Sequence, residues 1–72
     1  MSATIDITIN GKPTSLAASA TLVDALASLG ITADQPGVAV ALGDAVVRRA
    51  DWATTALGSG DRVEVVTAAQ GG

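Results

Sequence analysis

Polar and apolar residues alternate strictly from Thr4 to Ile9, with Ile5, Ile7 and Ile9 on one face and Thr4, Asp6 and Thr8 on the other. That period of two is the signature of a strand buried on one side. Asn10-Gly11 follows, a pair that tolerates positive φ at both central positions of a type I′ turn, and this predicts a hairpin. Lys12 to Ala17 is then the returning strand, with Pro13 confined to its start or to a sheet edge and Leu16 facing the core. Next the period changes. Thr21 is placed to cap a helix and Asp24 to complete a capping box, while Leu22, Val23, Leu26 and Leu29 make one apolar stripe with Ala25 and Ala27 adding helix propensity. Gly30 stops the helix in the left-handed conformation, and Ile31 closes the hydrophobic contact of that stop.

Residues 31–36 form a connector marked by Asp34 and Pro36. Val38, Val40 and Leu42 alternate with Ala39 and Ala41, which predicts a third strand whose second face carries small side chains and leaves room for another protein. Gly43-Asp44 suits a tight hairpin, with Ala45-Val46-Val47 as a short fourth strand. Ala50 to Leu57 reads as an irregular helical turn that folds Trp52 and Leu57 inward, the indole N–H seeking a carbonyl. After a turn at Gly58-Ser59-Gly60-Asp61, Arg62 to Thr67 alternates again, Val63 and Val65 on one side and Arg62, Glu64 and Val66 on the other. This order predicts an α+β protein with the β-grasp, or ubiquitin-like, arrangement: a mixed sheet of four to five strands packed on one helix. Its first and last strands lie side by side in the centre.

Composition narrows the chemistry. The 72 residues suit one domain, residues 1–67, followed by a flexible tail, residues 68–72, that ends in Gly71-Gly72. Cys and His are absent, which removes thiolate nucleophiles, imidazole bases and the usual zinc ligands, so the chain is expected to be no enzyme and to bind no metal itself. A net charge of −3 with only Lys12, Arg48, Arg49 and Arg62 as cations argues against nucleic acid and against an anionic membrane. No run of apolar residues is long enough for a span and no leader pattern opens the sequence, so a soluble, cytoplasmic protein is expected, monomeric when free. The pair Arg48-Arg49 leaves one arginine to a solvated turn. Gly58 and Gly60 are followed by no helix, so they are not a phosphate loop. Two adjacent glycines at a chain end arise by chance in about one chain in 200 at average glycine usage. They give a segment with no Cβ, thin enough to enter a narrow active-site slot.

The segments Val46-Val47-Arg48-Arg49-Ala50-Asp51-Trp52 and Leu57-Gly58-Ser59-Gly60-Asp61-Arg62-Val63-Glu64-Val65-Val66, with Ile9-Asn10-Gly11, Thr21-Leu22-Val23-Asp24-Ala25-Leu26 and the final Gly71-Gly72, resemble the ThiS family of sulfur carriers in thiamine biosynthesis. The resemblance covers nearly the whole chain, and its most specific parts are the Arg49-x-x-Trp52 spacing, the Gly60-Asp61 turn and the Gly-Gly end. Arg48 and Gly43 depart from the proline and asparagine common in the family.

What the resemblance implies is a carrier whose Gly72 carboxylate is modified by partners, with Gly71 and Gln70 as the tail that delivers it. An E1-like adenylyltransferase of the ThiF type, using ATP and magnesium, would adenylate Gly72; a cysteine desulfurase relay would supply sulfur to give a thiocarboxylate; a thiazole synthase of the ThiG type would receive it. No cofactor would be bound by the carrier itself. Ala39, Ala41, Arg62, Glu64, Val66 and Arg49 are the expected docking residues. The small subunit of molybdopterin synthase, other ubiquitin-like sulfur carriers and a noncovalent β-grasp interaction module are the alternatives.

Overall fold

The computed structural model describes residues 3–68, and the tail residues Gln70, Gly71 and Gly72 lie outside the described residues. Five strands, one α-helix and one 3₁₀ helix are formed among them: β1 (Thr4–Ile9), β2 (Lys12–Ala17), α1 (Leu22–Ala27), β3 (Val38–Leu42), β4 (Ala45–Val47), the 3₁₀ helix Arg49–Thr54, and β5 (Arg62–Thr67). The strands make one mixed sheet in the order β2-β1-β5-β3-β4. β1 and β5 run parallel at its centre, while β1–β2, β3–β4 and β3–β5 are antiparallel. This is the β-grasp arrangement.

Each turn uses the residue its dihedrals require. Asn10 and Gly11 take φ of 52° and 81°, both positive as a type I′ hairpin demands, and Ile9 pairs with Lys12 across them. Pro13, which has no N–H to donate, sits on the edge strand β2 opposite Thr8.

The core lies between the sheet and α1. Ile5, Ile7 and Ile9 of β1, Val40 of β3, and Val63 and Val65 of β5 face Leu22, Ala25 and Leu26 of the helix, and Trp52 and Leu57 close one end. Burial of such aliphatic side chains contributes about 1.5–3 kcal/mol each. The indole Nε1 of Trp52 donates to the Val47 carbonyl at 2.9 Å, so the one large aromatic side chain is buried without leaving its polar atom unpaired. Backbone bonds from Leu22 to Thr55 and from Leu57 to Ala20 tie the segment after the 3₁₀ helix to the entrance of α1.

The helix differs from its sequence reading in two respects. It is six residues long, so Leu29 falls beyond it and stands 47% exposed. The buried stripe is Leu22, Ala25 and Leu26, with Val23 half-buried, and Ala25 is a fully buried packing residue rather than a spacer of good propensity. Ala25 is buried because it lies three residues from Leu22 on the same helix face, and the stop explains the exposure of Leu29. Gly30 at φ 78° donates to the Ala27 carbonyl at 2.9 Å and Ile31 to the Leu26 carbonyl at 3.0 Å, the paired bonds of a Schellman motif. Ile31 then packs against the core, and its reversal of the chain leaves Leu29 outside.

Candidate functional site

β5 carries the chain towards Gly72, and it is held on both flanks. On one side Thr8 and Ile9 of β1 pair with Arg62 and Val63. The Asn10 N–H extends that edge by donating to the Val63 carbonyl at 2.8 Å. On the other side β3 runs antiparallel along the whole of β5, from Leu42 opposite Val63 to Val38 opposite Thr67. One further bond, from the Ala68 N–H to the Gly37 carbonyl at 2.7 Å, closes the ladder. Backbone bonded on two sides opens only when the sheet itself opens. That two-sided hold reaches Val65, where the Asn10 side chain bonds the backbone, and from Val66 to Ala68 the chain is held on the β3 side alone; four residues beyond Ala68 reach at most about 14 Å when extended.

The sheet face away from α1 surrounds that anchor. Strand alternation turns Ala39 and Ala41 of β3 outward, and register sets Ala39 beside Val66 and Ala41 between Glu64 of β5 and Val46 of β4. Val46 is 79% exposed and Val66 65%. Branched residues are usually turned inward, so two of them beside a pair of alanines make an apolar patch that a partner can cover without meeting long side chains. Arg62 lies at the rim, its guanidinium 3.7 Å from the Asp44 carboxylate with both side chains in solvent. A pair so exposed adds little to stability and leaves both charges open to a partner. An open groove of about 270 Å³ adjoins Arg62 at the start of β5, the end opposite Ala68.

Five of the six docking residues expected from sequence, Ala39, Ala41, Arg62, Glu64 and Val66, thus share this face. Arg49 stands apart from them. Its guanidinium lies 4.6 Å over the Trp52 ring, and it donates to the Ala33 carbonyl and, at 2.8 Å, to the Gln35 carbonyl. Its neighbour Arg48 makes only an exposed ion pair with Asp51 at 3.6 Å, as a solvated turn does. Val46 was missed by the sequence reading. Its orientation follows from the β3–β4 register, and the tight Gly43-Asp44 turn, with Gly43 at φ 61°, was the signal that could have fixed it.

Among the described residues no helix is long and apolar enough to cross a membrane. A family model described as "ThiS family" matches residues 7–72. The chain is also similar to a solved structure, that of the thiamine biosynthesis protein ThiS from Geobacter metallireducens, with 31% sequence identity and a TM-score of 0.74, covering 94% of this chain and 100% of that one. No curated protein sequence matches the chain significantly.

Proposed function

The chain belongs to the ThiS family, and we propose that it acts as a sulfur carrier in the formation of the thiamine thiazole, bearing the sulfur as a thiocarboxylate on Gly72. The observation that carries this reading is the anchoring of β5 through Ala68, whose N–H bonds the Gly37 carbonyl, beside an exposed apolar face.

The chemistry is a division of labour. A carboxylate is a poor electrophile until its oxygen is converted to a leaving group. An adenylating partner of the E1-like type would let the Gly72 carboxylate attack the α-phosphorus of ATP, with magnesium on the phosphates, releasing pyrophosphate. A persulfide carried by a cysteine desulfurase relay would then add through its outer sulfur to the acyl carbon and expel AMP, and a second thiol of the relay would cleave the resulting acyl disulfide, forming a disulfide of its own and releasing the thiocarboxylate. The resulting thiocarboxylate is a nucleophile fit for a thiazole synthase. None of these steps needs a catalytic side chain from the carrier, whose sequence holds neither Cys nor His. Gln70 and Gly71 would pass through the partner's slot, and the face of Ala39, Ala41, Val46, Glu64 and Val66 would dock against its surface.

The test is incubation with ATP, magnesium, sulfide and the adenylating enzyme, followed by intact mass measurement. Replacement of one oxygen by sulfur in the C-terminal peptide is the expected result, and an unchanged mass overturns the reading. Removing Gly72 separates a carrier from a noncovalent module: a carrier loses all activity with its fold intact, whereas a docking module binds its partner and acts as before. Transfer of the sulfur to a thiazole synthase, rather than to a molybdopterin synthase large subunit, distinguishes the two acceptors.

A further inference from the structure

Arg49 is an exposed residue on the turn after β4, yet its guanidinium is committed to the backbone of another segment. It stacks on the buried Trp52 ring at 4.6 Å and donates to the carbonyls of Ala33 and Gln35. The planar fork of arginine can serve two carbonyls at once while lying flat on an aromatic ring, which lysine cannot do. The clamped segment is the connector between α1 and β3. Two residues past Gln35 is Gly37, whose carbonyl accepts the Ala68 N–H at 2.7 Å. Between them Pro36 has its φ fixed by its ring, so the link from clamp to acceptor is short and stiff.

We propose that Arg49 is a positioning residue for the tail: by clamping Ala33 and Gln35 to Trp52 it fixes the Gly37 carbonyl, and through it the point and direction at which the chain leaves the sheet at Ala68. This rests on the proposed carrier function for its purpose, because only a tail that must enter another active site needs a fixed point of departure. The geometry explains why the connector cannot drift although it has few apolar side chains of its own. Ile31 and Val38 hold its two ends against the core, and Arg49 holds its middle. A reacting group displaced by about 1 Å can lose roughly 100-fold in rate, so a loosened exit would act on turnover more than on docking.

Two variants, R49Q and P36G, test it in the full chain, and a third, R49K, refines it. R49Q removes the clamp, and P36G keeps the clamp but softens the two-residue link; R49K asks whether charge alone suffices. Far-UV circular dichroism and unaltered exchange at Val65, whose N–H is held by Asn10 on the far side of β5, serve as controls for folding. Amide hydrogen exchange at Ala68 is expected to accelerate about 10-fold or more in R49Q and P36G, on the scale of one lost hydrogen bond, with R49K between them and the native chain. In adenylation assays R49Q is expected to lower kcat about 10-fold, with KM for the carrier changed less than about 2-fold. Equal protection of Ala68 in the native chain and both variants overturns the proposal, as does a rise in KM with kcat unchanged. If R49Q does not fold, P36G decides by the same two readouts. A native chain that gains no sulfur refutes the carrier reading instead, and Ala68 exchange still decides whether Arg49 holds the tail's root.

Discussion

The side-chain amide of Asn10 bonds both backbone groups of Val65: the Val65 N–H donates to Oδ1 at 2.8 Å, and Nδ2 donates to the Val65 carbonyl at 3.1 Å. β1 ends at Ile9 while β5 runs on to Thr67, so without this contact the central strand would lose its partner on one side halfway along. The primary amide has the same donor and acceptor as a peptide group, and here it replaces the strand residue that the turn has taken away. Asn10 also occupies the turn at φ 52°, a conformation that asparagine tolerates and most residues avoid.

The two roles separate by mutation. Asn10→Gly keeps the turn and loses both bonds, leaving the Val65 groups to find water; it is expected to cost about 1–3 kcal/mol. Asn10→Ala adds the steric cost of the left-handed region, about 1–2 kcal/mol more. Urea unfolding followed by Trp52 fluorescence measures both, and a glycine variant as stable as the native chain would show that the side-chain amide contributes nothing.

Trp52 is the second stability determinant. It is 2% exposed and is the only aromatic residue in the sequence. Trp52→Phe keeps much of the volume but leaves the Val47 carbonyl without its donor and Arg49 without its broad stacking surface. The expected loss is about 1–3 kcal/mol, against about 3–5 kcal/mol for Trp52→Ala, which also opens a cavity. Thermal unfolding by circular dichroism reads both, since these variants lack the fluorophore.

Leu29 shows where reading a sequence by periodicity stops working. Leu22, Ala25, Leu26 and Leu29 have the i, i+3, i+4, i+7 spacing of one helix face, and Ala25 is buried accordingly, but regular helix ends at Ala27 and the turn through Gly30 and Ile31 leaves Leu29 in solvent. Leu29→Gln is therefore expected to change stability by less than about 0.5 kcal/mol, whereas Leu26→Ala, one turn earlier, should cost about 2–5 kcal/mol. A large loss at Leu29 in chemical denaturation would mean that it packs inward after all.

The strands were legible because their order needs only local information: β-branched residues at every second position, and turn pairs such as Asn10-Gly11 whose dihedrals allow one geometry. The outward face of β3 and β5 was legible for the same reason, since alternation assigns Ala39, Ala41, Glu64 and Val66 to one side. Contacts across 55 positions, such as Asn10 with Val65, leave no local periodic trace. Nor does the clamp of Arg49 on Ala33 and Gln35, because backbone carbonyls look alike in every sequence. Arg49 was placed with the docking residues, and nothing in its neighbouring sequence says which way its side chain turns.

The outward face gives a prediction in which binding and stability part company. Val66→Asp and Val46→Asp each put a charge where the side chain is largely in solvent, so the folded chain should lose less than about 0.5 kcal/mol. In a complex the same carboxylate would be buried against the partner without a counter-charge, and that penalty is the kind that makes a small central group of residues dominate an interface. The expected effect is a weakening of binding to the adenylating enzyme by about 10-fold or more, seen as a rise in KM for the carrier with its melting temperature unchanged. Glu64→Lys, on the same face, should act through the on-rate, and so should fade as salt is raised. Leu29→Asp, on the turn beyond α1, serves as the control: it adds the same charge outside the sheet face and should leave the KM alone. If all three positions altered KM equally, general charge rather than this face would govern recognition. If Val46 and Val66 left it untouched, the partner would have to grip the carrier elsewhere.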